Sequence, residues 1–165
     1  MRLLSRDGAS IEIRPTAYQF SANPRAQVGT DWDANWLVVR GDVKTASGFR
    51  WTFVDPCLTT WEARELAAWL RGVVDGLVAP AHRLVQQCWA PSVHRAKHRA
   101  PFGALVKTQR ARVRFHFSLD ALPPWLDGRD RPGLFEYLLV FDVSTKDLAA
   151  AAEECDDDCK PFPVR

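Results

Sequence analysis

The sequence predicts an α+β fold: a single, largely antiparallel β-sheet of five or six strands with two helices, the first packed on one sheet face. Stretches in which apolar and polar residues alternate, as in half-buried strands, outnumber the helical stretches. They also cluster along the chain instead of alternating with helices, which favours an antiparallel sheet. The 165 residues, 47% of them hydrophobic, suit a single domain over 1–165 with its own core.

The stretch from Asp31 to Val43, DWDANWLVVRGDV, predicts the central strand of this sheet. From Trp36 onward its side chains alternate, and one face is apolar and small: Leu37, Val39, Gly41 and Val43. The short polar side chains just before the strand bond readily to their own backbone and predict a turn there: Asp31, Asp33 and Asn35.

The remaining strands follow from the same alternation. They are predicted within 3–20, with Asp7-Gly8 as a turn, and at 49–53, 84–89, 110–119 and 134–143. Residues 91–104 are predicted to form a loop, because Pro91, Pro101 and Gly103 interrupt any regular pattern.

Two helices have recognisable starts. Thr59 and Glu62 have the spacing of a capping box, and the residues that follow place an apolar stripe at helical spacing as far as Asp75-Gly76. Ser144, with an acid three residues later, predicts the start of a second helix that ends near Glu154.

The charge is unevenly distributed, although the net charge is only +2. Residues 1–81 are balanced, 82–120 carry an excess of seven positive charges, and 121–165 an excess of five negative charges. These segments either face each other and the solvent or form charged docking surfaces. The candidate partner-binding residues are Arg110, Arg112 and Arg114 on one predicted strand face, and Glu153, Glu154, Asp156, Asp157 and Asp158 near the C-terminus.

The sequence predicts a cytoplasmic protein. It has neither a secretory signal peptide nor an apolar run long enough to span a membrane. The cysteines are Cys57, Cys88, Cys155 and Cys159, and none form a CxxC pair, so we expect reduced thiols.

No assembled catalytic set is recognisable, and we expect neither enzymatic activity nor a cofactor; an uncharacterised small enzyme is the alternative. His94 and His98 have the spacing of helical metal ligands, but cations surround them, which opposes a metal site. Cys155 and Cys159 share that spacing, and a metal, a disulfide or two unrelated thiols all fit it. A carboxylate pair for acid–base chemistry would come from Asp31, Asp33, Asp42 and Asp55, for which turn formation and backbone capping are the commoner roles.

Nucleic-acid binding is an alternative to a protein partner, through the basic segment 94–116. Arg110, Arg112 and Arg114 would form a cationic ridge that binds phosphates. The same face has no aromatic residue on which bases could stack.

Three stretches resemble the WapI-type immunity proteins of bacterial polymorphic toxin systems. They are DWDANWLVVR at 31–40, FVDPCLTTWE at 53–62 and FPVR at 162–165. The resemblance implies a small cytoplasmic protein that binds and neutralises a cognate toxin domain without catalysis. We expect the residues of these motifs to be structural: Trp32, Asp33, Asn35, Trp36, Asp55, Pro56 and Trp61. The acidic C-terminal part is then a candidate contact for a basic nuclease toxin.

Overall fold

The computed structural model describes residues 1–22, 24–25, 27–75, 89–94, 109–126 and 137–165, with 89–94 as backbone. The strands are β1 (Arg2–Leu4), β2 (Ser10–Tyr18), β3 (Trp36–Lys44), β4 (Arg50–Thr59), β5 (Trp89–His94), β6 (Arg110–Phe117) and β7 (Tyr137–Ser144). The helices are α1 (Thr60–Asp75) and α2 (Thr145–Cys159). Short 3-10 turns cover Asp33–Asn35, Leu119–Ala121 and Pro124–Leu126.

The α+β class is confirmed, but the prediction of a single sheet is wrong, because the described strands form two antiparallel sheets. Their orders are β1-β2-β3-β4 and β5-β6-β7. The sheets adjoin where the Arg6 N–H donates to the Asp142 carbonyl and the Asp142 N–H to the Ser5 hydroxyl, both at 3.0 Å. Alternation identifies a strand and its buried face but not its neighbour, so the sequence did not reveal this break.

The inner faces of the two sheets share one core. Phe117 of the second sheet meets Trp51 and Phe53 of the first, with ring centroids 5.2 Å and 6.2 Å apart. β3 lies between β2 and β4, as predicted for the central strand, and its apolar face is buried. The expected core positions in four strands are also buried: Val39, Trp51, Phe115 and Phe141.

Both helices begin at their predicted caps. The Thr59 hydroxyl accepts a hydrogen bond from the Glu62 N–H at 3.3 Å, and a Glu62 carboxylate oxygen accepts the Thr59 N–H at 2.9 Å. The Ser144 hydroxyl accepts the Asp147 N–H at 3.1 Å. α1 packs along α2 and contacts β4, whereas α2 contacts strands of both sheets.

α2 is longer than predicted. It continues past Glu154 to Cys159 because one stripe at helical spacing stays buried along its whole length: Leu148, Ala151, Ala152, Cys155 and Cys159. The polar run Asp156–Asp158 conceals this stripe in the sequence, since those acids occupy the outward positions between the two cysteines.

Several strand boundaries differ from the prediction, most clearly those of β4 and β5. β4 continues from Phe53 to Thr59, because Pro56 lies on the outermost described strand of the first sheet and next to a register shift, where a proline is tolerated. Residues 91–94, predicted as loop, belong to β5, in which Pro91 stands opposite Phe115 on the edge strand of the second sheet. The predicted strand at 84–88 lies outside the described residues, and so do 95–104 and 134–136.

Candidate partner-binding surfaces

Asn35 joins three distant parts of the chain. Its side chain is fully buried, and its Nδ2 donates to the Asp31 carbonyl at 2.7 Å and to the Arg165 carbonyl at 2.8 Å. Its Oδ1 accepts the Thr60 hydroxyl at 2.8 Å and the Arg165 N–H at 2.9 Å. These four bonds use both donors and both acceptor positions of the amide, so the Asn35 side chain ties these segments together.

The segment 162–165 docks beside this amide. The Arg165 guanidinium lies over the Tyr18 ring, 3.3 Å from its centroid, and the Phe162 ring meets Tyr18 edge-on at 5.4 Å. The Tyr18 hydroxyl donates to the Pro163 carbonyl, and the Gly29 N–H donates to the Arg165 carbonyl at 2.7 Å. The three stretches that resemble the immunity family therefore meet at one place in the fold.

The exposed part of the first motif stands next to this junction. The Trp32 ring stacks on the ring of Trp61, with centroids 4.9 Å apart and planes inclined by 27°. Trp32 is 55% exposed, and Asp33 is exposed beside it. The other motif residues are half-buried in strands: Trp36 begins β3, and Asp55 and Pro56 pair with β3 from β4.

The acidic residues proposed as a contact surface all lie on the second half of α2, but several have partners within the chain. Glu153 and Glu154 are exposed. The three aspartates form ion pairs: Asp156 with Arg71, Asp157 with Lys160 at 2.6 Å, and Asp158 with the Met1 amine at 2.5 Å. These pairs link the helix end to α1 and to the start of β1, so part of the acidic cluster is structural.

The basic residues proposed as a ridge lie on the outer face of β6. Arg110 is held by Asp142, because its Nε donates to a carboxylate oxygen at 2.8 Å and its Nη2 to the Asp142 carbonyl at 2.9 Å. Arg112 and Arg114 form no ion pair with the described residues. Beside them on β7 stand two exposed apolar residues, Leu138 and Val140. The structure therefore places the basic and acidic candidates on different elements.

The cysteine pair is part of the core. Cys155 and Cys159 are free thiols, and the Cys155 thiol donates to the Ala63 carbonyl at 3.6 Å. The hydrogen bond between the two thiols, together with burial, raises the pKa of Cys155 far above its ordinary value, while the same bond lowers the pKa of Cys159. Cys57 is also free and buried, and Cys88 lies outside the described residues.

Two of the carboxylates considered for acid–base chemistry form hydrogen bonds within the fold. Asp31 accepts the Ala34 N–H at 3.2 Å, and Asp42 accepts two bonds from Arg40. In the described ranges no group of three or more His, Cys, Asp or Glu side chains is placed to hold a metal ion. His94 belongs to β5, and His98 lies outside the described residues.

Comparison with known proteins identifies a family. No helix in the described part of the chain is long and apolar enough to cross a membrane. Neither a curated protein nor a solved structure matches the chain. The model of the immunity protein WapI-like family matches residues 2–163. Because that match spans nearly the whole sequence, the chain belongs to the WapI-like immunity protein family.

Proposed function

We propose that this protein acts in the bacterial cytoplasm, where it binds a cognate toxin domain and neutralises it without catalysing a reaction. Membership of the immunity family over residues 2–163 carries the proposal. Neutralisation then consists of covering or distorting the active surface of the toxin. A complex that blocks a toxin stably buries about 1,200–2,000 Å² in total, centred on aromatic or arginine anchors.

The structure supports this proposal with surface features that a protein partner would use. Trp32 exposes aromatic surface, and the helix α2 presents exposed carboxylates at Glu153 and Glu154. Aromatic residues are the commonest anchors of protein interfaces, and charged rims accelerate the encounter with an oppositely charged partner.

Co-expression tests the proposal. The toxin domain encoded by the gene directly upstream is expressed in a sensitive bacterium with and without this protein. We expect survival only in its presence, and a complex that co-purifies with an inactivated form of the toxin domain. If cells die equally in both cases and no complex forms, the immunity function is wrong for that pair.

A further inference from the structure

The stacked pair Trp32 and Trp61 is a rigid aromatic surface. Trp32 exposes 55% of its area, although one face of its ring is covered by Trp61 at a centroid distance of 4.9 Å. Its position is fixed from both sides: Trp61 belongs to the first turn of α1, and the 3-10 turn after Trp32 leads into the buried amide of Asn35. A large aromatic side chain that is already ordered loses little entropy when a partner covers it.

The electrostatic surroundings of the pair are negative. Asp33 and Glu65 are exposed, and neither carboxylate has a hydrogen-bond or ion-pair partner among the described residues. Glu65 lies four residues after Trp61 on α1 and therefore on the same side of the helix. Within 31–35 and 60–66 the exposed side chains carry one positive charge, on Arg64, against the carboxylates of Asp33 and Glu65, and Asp31 adds a half-buried carboxylate. An aromatic face bordered by carboxylates attracts a lysine or arginine side chain.

The helical layer adds one exposed acid, Glu154, toward the same end. Ala63 near the start of α1 contacts Cys155 near the end of α2, while Arg71 and Asp75 share a surface groove with Ala149 and Glu153. The two helices therefore run antiparallel, which places exposed Glu154, next to Cys155, toward the Trp61 end of α1, whereas Glu153 and Asp156 lie nearer Arg71. Negative charge at this end attracts a basic partner before the two surfaces touch.

We infer that Trp32, Trp61, Asp33 and Glu65 form an anchor site for a lysine or arginine side chain presented by a basic protein surface. This inference rests on the proposed function, since the basic surface is that of the toxin domain. The motif residues then divide into two roles: buried Asn35 maintains the fold, while exposed Trp32 and Asp33 contact the partner. The cation lies over the open face of Trp32, and the two carboxylates bond to it from the sides.

Affinity measurements with matched variants test the anchor site. The purified, inactivated toxin domain is titrated against the wild type, Trp32→Ala, Asp33→Lys and Glu65→Lys. The controls are Trp125→Ala, an exposed tryptophan with aromatic neighbours, and Asp120→Lys, an exposed aspartate. Trp51, which contacts Trp125, lies at the other end of β4 from Thr59, so the controls are remote from the site.

We expect Trp32→Ala to weaken binding at least about 30-fold, as truncation of an interface anchor does, and the two charge reversals to weaken it in the same direction. The controls should keep the wild-type affinity. Thermal unfolding of each variant shows whether it remains folded, and the charge reversals carry the test if Trp32→Ala is unfolded. Unchanged affinity in all three site variants overturns the anchor site while leaving the proposed function standing.

A second measurement separates the failure of the site from the failure of the function. If the wild type does not bind that toxin domain, the proposed function fails for that pair. A short glycine–arginine peptide and its glycine–glutamate counterpart are then titrated, and the NMR signals of the indole N–H groups are followed. The cation site is supported if the arginine peptide shifts the indole N–H signals, the glutamate peptide does not, and the shifts are lost in Trp32→Ala. Equal responses to both peptides, or none, overturn it.

Discussion

The side chain of Asn35 holds the backbone of Arg165 from both sides, donating to its carbonyl at 2.8 Å and accepting from its N–H at 2.9 Å. The same amide oxygen accepts the hydroxyl of Thr60 at the first residue of α1. A single buried amide thus ties the start of β3, the start of α1 and the last residue of the sequence together. The exposed Trp32–Trp61 stack is built directly on this junction.

Asn35→Ala is expected to destabilise the protein by about 2–4 kcal/mol, because it leaves buried hydrogen-bonding groups of Thr60 and Arg165 without their partner. Urea denaturation measures the change in the free energy of unfolding. Asp33→Ala is the control, since Asp33 lies on the same turn but is exposed. Equal stability of the two variants would contradict the structural role of Asn35.

Phe115→Ala is expected to cost about 3–5 kcal/mol of unfolding free energy, because Phe115 is fully buried between the rings of Phe117 and Phe141. Phe49→Ala removes the same side chain at a position that is 61% exposed and should cost much less. Chemical denaturation of both variants provides the comparison. A similar loss in both would mean that the inner face of β6 is not the core of the second sheet.

Gly41→Ala should destabilise the fold although it adds only one methyl group. Gly41 stands opposite Phe53, and a Cβ built on Gly41 would lie 2.1 Å from two atoms of the Phe53 ring. Overpacking of this kind costs about 1–3 kcal/mol. The double variant Gly41→Ala/Phe53→Leu provides the check, since a smaller side chain at 53 should recover part of the loss. Strictly additive losses would show that the ring is not the obstacle.

The sequence predicted those parts of the fold that depend on neighbouring residues. The alternation of β3, the capping box of Thr59 with Glu62 and the Ser144 cap are all local, and the structure confirms each of them. The division into two sheets depends on which strands pair, which alternation does not encode. The extension of β4 through Pro56 was missed for a related reason, because proline is tolerated in a strand only at an edge, a start or a bulge, and the sequence does not show where these lie.

The site was predictable only in part. The resemblance drew attention to Trp32, Asn35 and Trp61, and its second stretch includes Thr60, but it did not point to Tyr18. Contacts such as that between Asn35 and Arg165 join residues 130 positions apart, and no spacing within one sequence reveals them. The polar stretch Asp31–Asn35 was correctly predicted as a turn, but burial of the Asn35 amide became visible only with the partners in place.

The ionisation of Asp42 is expected to make the free energy of unfolding depend on pH under acidic conditions. Hydrogen bonds from Arg40, at 2.8 Å and 3.0 Å, and from Thr52 hold the pKa of Asp42 below its ordinary value of 3.8. A carboxyl whose pKa is lowered by folding stabilises the protein above its unfolded pKa, and this contribution is lost as the pH falls through the folded pKa.

Asp42→Asn is therefore expected to lower the unfolding free energy at neutral pH, by less than about 1 kcal/mol because the ion pair is solvent-exposed. The difference from the wild type should shrink as the solution is acidified to about pH 2. Urea denaturation at both pH values measures it. A difference that stays constant would show that the loss comes from something other than the charge of Asp42.

Substitutions on the outer face of β6 test whether the protein binds nucleic acid. Arg110 is engaged with Asp142, so only Arg112 and Arg114 of the proposed ridge lack an acidic partner in the described part of the chain. Two phosphate contacts on duplex DNA give a slope of about −1.8 in a plot of log affinity against log salt concentration. We therefore expect filter binding to detect at most weak retention at low salt, and Arg112→Ala/Arg114→Ala to abolish it.

The same double variant should protect cells from the toxin as well as the wild type does, because Arg112 and Arg114 lie on β6 and not at the Trp32–Trp61 pair. Salt dependence alone does not distinguish nucleic acid from an acidic protein as the partner. Binding of either one to the basic face of β6 would weaken at high salt. Filter binding and protection are therefore measured on the same variant. Tight retention of DNA or RNA, with the steep slope of six or more phosphate contacts, together with lost protection in Arg112→Ala/Arg114→Ala, would make nucleic acid the functional partner.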